Sequence, residues 1–325
     1  MSPVVEVRDI FKSFDKTVAL RNVSFSVGSG EICGLIGPNG AGKTTLIRIL
    51  ATLMRPDMGR ANVFGFNVNG EENRVRPLIG YMPDSGGAYR DMLLHEYLEF
   101  FAAAYGIEEP DRTRVVKDCL ELTGLHSLRE RQIDGLSRGM RQRLGLARCL
   151  VHDPKLLILD EPASGLDPRA RIELLAVLNV LREMGKTILI SSHILSELSS
   201  VCTRMCILDN GSVLYNGSIK EALTFARSGR RIRVKTIGDT QRAAELLASY
   251  PAVKRVDTVD NTITIDLPED MDDFSFIAAR LVKEGLKVLT IEEEEALLED
   301  VFLKMTDPDR NTDSGDSPNS APQET

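Results

Sequence analysis

The chain has 325 residues, of which 42% are apolar and 27% charged, an ordinary globular composition that excludes wholesale disorder and suits about two domains at ~150 residues each. Its 40 basic residues stand against 48 acidic ones, for a net charge of −8, which argues against a reader of DNA or RNA, since phosphate neutralisation needs clustered Lys and Arg. No apolar run approaches the ~18 residues needed to span a bilayer. The start, MSPVVEVRDI, lacks the charged-then-apolar pattern of a secretory signal, so the expectation is a soluble, cytoplasmic protein. Cys33, Cys119, Cys149, Cys202 and Cys206 are odd in number and dispersed, which speaks against a disulfide framework. No His or second Cys pair completes a zinc set around Cys202 and Cys206, and no second His follows His95-Glu96 at metalloprotease spacing. The cysteines read as small buried hydrophobes.

In chain order, Gly30 to Ile36 reads as a short buried strand that runs straight into GPNGAGKTT. Thr44 to Met54 has helical apolar spacing, and Pro56 ends it. Residues 92–150 hold three or more helical segments without a convincing strand and read as an insertion, placed at about 84–150. Buried strands follow at 156–160 (LLILD), 187–192 (TILISS) and 205–209 (MCILD), the last turning through Asn210-Gly211 into SVLY as a hairpin. Unbroken apolar strands separated by helices predict a mostly parallel sheet covered on both faces.

Beyond residue 228 the pattern changes. Arg231, Arg233 and Lys235 alternate with Ile232 and Val234 as a half-buried strand. A helix pattern spans 241–250, strands 253–257 and 262–267 flank a turn at Asp260-Asn261, a helix spans 272–284, and a strand spans 286–291. This β-α-β-β-α-β order is the ferredoxin-like arrangement. A last helix is expected over 296–305, with Glu292 to Glu295 as its solvated first turn. Arg227, Arg230, Arg231 and Arg233 cluster at the junction, as the exposed face of a strand or as a contact for an anionic membrane surface. Residues 306–325 contain no Leu, Ile, Val or aromatic residue and carry five acids and one Arg, so they are expected to be an acidic, disordered tail. The expected division is therefore 1–228, 229–305 and 306–325.

Gly37, Pro38, Asn39, Gly40, Ala41, Gly42, Lys43 and Thr44 fit G-x-x-x-x-G-K-[ST], set between a predicted strand and helix as that motif requires. Such a loop turns successive backbone N–H groups into one concavity, and the helix N-terminus that follows adds positive potential. Lys43 can reach the β- and γ-phosphates, and Thr44 can ligate Mg²⁺, which takes few protein ligands. LLILDEP places Asp160 and Glu161 at a buried strand end, where Asp160 suits a Mg²⁺ shell and Glu161 can polarise an attacking water.

Gly37–Thr45, LSRGMRQR (136–143), LILDEP, SGLD (164–167) and SSH (191–193) occur in this order and spacing. Together they resemble the ATP-binding subunits of ABC transporters, over about residues 1–217. The C-terminal block and ALLEDVFLKMT (296–306) look like the exporter branch that pairs with separate drug- or polysaccharide-type permeases. The resemblance implies an α/β P-loop ATPase core with a helical insertion and a small α+β ferredoxin-like C-terminal domain, with ATP and Mg²⁺ as ligands. It further implies that Phe14 stacks on adenine and that Ser137 and Gly139 contact the γ-phosphate held by a partner subunit. Asp167 would then communicate between two sites, and His193 would sense the γ-phosphate. The partners it implies are a separately encoded permease and a second ATPase subunit, identical or related, closing head-to-tail. It places the chain on the inner face of the membrane. An importer subunit, or an ABC ATPase acting on ribosomes or DNA, are the alternatives. Two positions depart from the family pattern. Arg138 stands where Gly is common, and either adds charge near the partner's nucleotide or faces solvent. Asp84 stands where the family usually has Gln, and either serves Mg²⁺ or caps the next segment.

Overall fold

In the computed structural model the described residues are 3–84, 87, 91–194, 198, 200–226, 230–268, 271, 273–294 and 301. They fall into two compact units that divide between Ile219 and Lys220, ahead of the 228/229 boundary expected from the sequence. The segments 296–300 and 302–325, and with them the expected last helix and tail, lie outside the described residues apart from Val301.

The first unit contains two sheets. β1 (Val5–Phe14), β2 (Thr17–Val27), β4 (Met58–Val63) and β5 (Phe66–Asn67) form an antiparallel sheet in the order β2-β1-β4-β5. The second sheet runs β10-β9-β3-β8-β7-β6, from β3 (Ile32–Ile36), β6 (Ile79–Met82), β7 (Leu156–Leu159), β8 (Thr187–Ser192), β9 (Arg204–Asp209) and β10 (Ser212–Ser218). Its strands are parallel except for β10, which pairs antiparallel with β9 across the Asn210-Gly211 turn, both residues at positive φ. Every residue of β3, β7 and β8 is buried, as expected for parallel strands covered on both faces. α1 (Lys43–Leu50) joins the sheets: Leu46, Ile47, Ile49 and Leu50 share one apolar core with Val5, Ile10 and Leu20 of the first sheet and Leu35, Ile158 and Leu208 of the second.

α1 ends at Leu50, short of Pro56. Thr52 takes a left-handed φ of 61°, its N–H donates to Ile49 O, and the Leu53 N–H donates to Arg48 O at 2.9 Å. This bond pair closes the helix before the proline can. After α2 (Glu72–Val75) and β6, the expected insertion is built from α3 (Leu94–Ala104), α4 (Asp111–Leu122) and α5 (Arg138–Leu150). α6 (Pro168–Glu183) connects β7 to β8.

His152, just past α5, stacks on Tyr105 with ring centroids 3.9 Å apart, and its Nε2–H donates to Ile79 O at 2.8 Å. Burial holds the imidazole below its usual pKa, against the raising effect of the Ile79 bond and Asp153. The unfolded chain therefore binds this proton at higher pH than the folded one. The contribution is complete above the unfolded value of about 6.5 and is lost as pH falls through the folded value. Melting temperatures between about pH 6.5 and 5 should fall more steeply for the wild type than for His152→Gln, and equal slopes would refute this.

α7 (Ile219–Ala226) begins on the last residue before the division and runs into the second unit, which continues as β11 (Arg230–Ile237), α8 (Thr240–Ala248), β12 (Arg255–Val259), β13 (Thr262–Leu267), α9 (Ser275–Lys283) and β14 (Lys287–Glu294). Its antiparallel sheet has the order β12-β13-β11-β14, which with two helices is the ferredoxin-like topology. Ile232, Val234, Ile263 and Ile265 pack under Ala243, Leu247, Ile277 and Leu281. The acidic run needs correcting: Glu292, Glu293 and Glu294 are strand residues of β14, opposite Arg233, Ile232 and Arg231. Arg233 pairs with Glu294, Arg230 with Glu293 at 3.5 Å, and Arg231 with Asp266 at 2.9 Å. Cross-strand neutralisation favours extending the strand through the acids over starting a helix with them.

Candidate active site

Register brings the expected residues to one sheet edge. Met82 pairs with Leu159, Leu159 with Ile190, and Ile36 with Ser192. The C-terminal ends of β6, β7, β3 and β8 therefore release Pro83-Asp84, Asp160-Glu161, Gly37 and His193 side by side, the crevice in which open parallel sheets bind ligands.

The loop after β3 is shaped by its glycines. Gly42 caps α1 at φ 104° with no side-chain cap on the helix N-terminus. A Cβ there would lie 2.5 Å from Ala19 O and 2.7 Å from Leu20 Cδ2, so β2 leaves room only for glycine. Pro38, Asn39 and Gly40 form the exposed crest of the loop, and Ala41 is buried beneath it. Lys43 is only 6% exposed; its Nζ donates to Gly37 O at 2.7 Å and Pro38 O at 3.2 Å, and lies 3.2 Å from Glu161 Oε1. Thr44 Oγ1–H donates to Asp160 Oδ1 at 3.3 Å, and Thr45 follows within the first turn of α1.

Asp160 is 1% exposed and also accepts from Ser191 Oγ–H at 2.8 Å. Burial pushes its carboxyl above the usual range; the Ser191 and Thr44 bonds oppose this, and the charges of Asp84 and Glu161 add to it. Glu161 has a left-handed φ of 48°, a conformation that requires surrounding support in a non-glycine residue. Its N–H donates to Ser191 Oγ at 2.8 Å, and its Oε2 accepts from His193 Nδ1–H at 2.8 Å. One carboxylate thus faces Lys43 on one side and His193 on the other.

Ser137 is the N-cap of α5, accepting from Met140 N–H, and Asp167 is the N-cap of α6, accepting from Ala170 N–H. Gly139 packs so close to Ala170 that a Cβ on it would stand 2.7 Å from the Ala170 Cβ. These three residues gather at the starts of two adjacent helices. Among the described residues no hydrogen bond or ion pair ties them to Lys43, Thr44, Asp160 or Glu161. Phe14 closes β1 beside the turn to β2, 44% exposed, with Lys12 Nζ 5.5 Å from its ring centroid.

A family profile described as "ABC transporter" matches residues 20–164. The uncharacterized ABC transporter ATP-binding protein YxlF of Bacillus subtilis is 34% identical over 93% of this chain and 99% of its own length. The Nod factor export ATP-binding protein I of a Rhizobium species is 34% identical over 93% of this chain and 96% of its own. A solved ATP-binding subunit of an ABC transporter superposes with a TM-score of 0.62 at 32% identity, covering 68% of this chain and 92% of that one.

The chain belongs to the ATP-binding subunits of ABC transporters.

As an ABC ATPase it hydrolyses ATP, and the donors at its sheet edge fit a Mg²⁺-bound triphosphate. Among the described residues no group of three His, Cys, Asp or Glu closes around a metal. Mg²⁺ is a hard cation that takes one or two protein oxygens and the rest from phosphate and water. Thr44 and Asp160 are the oxygens that would hold such a cation, and the raised carboxyl of Asp160 marks a buried group that a cation would stabilise in its charged form. Asp84 is exposed and makes no hydrogen bond among the described residues; it reaches Asp160 through its charge alone. Ser191 was not among the expected site residues, although it lies in the SSH stretch. It bridges Asp160 and the Glu161 backbone, a role visible only once β7 and β8 are adjacent. No helix among the described residues is long and apolar enough to cross a membrane.

Proposed function

We propose that this ATPase drives export through a permease made by separate subunits, to which it docks on the inner face of the membrane. The observation that carries the chemistry is the placing of Glu161 between Lys43 and His193 beside the glycine loop. The loop N–H groups and Lys43 hold the β- and γ-phosphates, with transition-state charge met by donors already in place. Glu161 aligns and polarises the attacking water, and His193 fixes the carboxylate through Nδ1. Thr44 and Asp160 would hold Mg²⁺, which when bound neutralises phosphate charge. Phe14 offers its exposed ring to adenine. Ser137, Gly139 and Asp167 face the nucleotide of a second ATPase subunit, identical or related. Likeness to a Nod factor export protein over 93% of the chain supports export over import, and the acidic balance supports neither ribosome nor DNA as partner. Affinity capture of the tagged chain from detergent-solubilised membranes should retain a multi-span permease; recovery of ribosomes instead would overturn the reading.

Asp84→Asn tests the remaining metal assignment. A carboxylate adds a hard anionic oxygen that Asn lacks, so the variant should need roughly threefold or more Mg²⁺ for half-maximal ATPase activity. Superimposable Mg²⁺ titrations would leave Asp84 as a cap, because Asn and Asp cap about equally well.

A further inference from the structure

Arg138 is the first residue of α5, exposed, and set between Ser137 and Gly139. Among the described residues it forms no hydrogen bond or ion pair; packing is what places it. Its guanidinium lies against Gly165 in the loop that leads from Glu161 to α6. A Cβ built on Gly165 would sit 2.6 Å from Arg138 Cζ, 2.6 Å from Nη1 and 2.8 Å from Nη2. Gly165 has a left-handed φ of 64°, so it presents a bare Cα face on which a planar group can rest. The same seam continues down the two helices, with Gly139 against Ala170 and Arg143 Nη2 3.3 Å from Glu173 Oε2.

We propose that Arg138 is a positioning residue: its guanidinium seats the 164–167 loop on the start of α5, so that Ser137 and Asp167 are presented as one rigid body. The inference rests on the reading given under Proposed function, in which those two residues serve a second subunit's nucleotide. Arg138 acts there through Gly165 and not as a phosphate ligand. Loosening the loop should slow the step that assembles the site and leave ATP binding at the glycine loop unchanged.

The test is a double-mutant cycle on ATP hydrolysis by the full chain: wild type, Arg138→Gly, Gly165→Ala and the double variant, with melting temperatures measured on each. Either single variant should lower kcat roughly threefold to tenfold with the KM for ATP within about twofold of wild type. The backbone strain of Ala at a left-handed φ is present in both backgrounds and cancels in the cycle. Without the guanidinium the added methyl loses its three nearest contacts, so the double variant should lose less than the product of the two losses. If Gly165→Ala melts early, Gly165→Asn, which tolerates the left-handed conformation, serves in its place. Arg138→Lys keeps the charge but not the plane, and should behave as Arg138→Gly. Multiplicative effects, full activity with Lys, or a raised KM at unchanged kcat in Arg138→Gly would each overturn the proposal. Glu161→Gln run alongside separates the two levels. A wild type no faster than that variant overturns the functional reading together with this inference. Normal wild-type turnover with a multiplicative cycle overturns this inference alone.

Discussion

Glu161→Gln should bind ATP with near-wild-type affinity and lose turnover by about 10²–10⁴-fold, the range associated with removing a positioned base. The substitution keeps the size of the side chain and an oxygen for His193 Nδ1–H, so the local framework has no reason to collapse. It removes the charge that faces Lys43 at 3.2 Å and, with it, the carboxylate proposed to polarise water. Stalled between binding and hydrolysis, the variant should accumulate as an ATP-bound dimer on size exclusion. Phosphate release near the wild-type rate would contradict the assignment of Glu161.

Gly42→Ala should do greater damage to the protein as a whole. The added methyl would press on Ala19 O at 2.5 Å and Leu20 Cδ2 at 2.7 Å, in a backbone held at φ 104°. Strain and overpacking together cost about 2–5 kcal/mol, which for a unit of this size lowers the melting temperature by roughly 5–15 °C. Relief by shifting the loop would move the first turn of α1 away from the phosphates, so ATP affinity should fall as well. Calorimetry of the variant with and without ATP reads both effects; an unchanged melting temperature and unchanged affinity would show that the loop accommodates the methyl.

The gathering of Lys43, Thr44, Asp160, Glu161 and His193 at one sheet edge is legible because the chemistry proposed for it constrains backbone and sequence together. A loop that must expose its N–H groups needs glycines at fixed places, and a strand that ends at the crevice needs an unbroken apolar run before its carboxylates. The first antiparallel sheet was not legible. In β1 the alternation of Val5 and Val7 breaks before Ile10, because Asp9 and Asn22 take left-handed conformations and the β1–β2 register shifts there. A bulge of this kind destroys the period-2 signal that identifies strands. The end of α1 was misplaced for a related reason: Thr52 reverses the chain in a conformation that a β-branched residue seldom adopts, so Pro56 looked like the stop. The Glu292–Glu294 run was misread because acids suit a helix start, whereas the arginines that neutralise them lie on another strand far back in the chain. Ser191 and Gly165 share that difficulty. Each matters through a neighbour that only the tertiary fold supplies.

The most direct measurement is phosphate release from ATP by the purified full chain, in Mg²⁺ and after EDTA, beside Lys43→Ala. Lys43 is the side chain that joins the glycine loop to Glu161, so its loss should remove ATP binding and turnover together. Hydrolysis should need both Mg²⁺ and Lys43; phosphate release that survives EDTA or the loss of Lys43, or a wild type no faster than Lys43→Ala, would show that this sheet edge is not where ATP is hydrolysed.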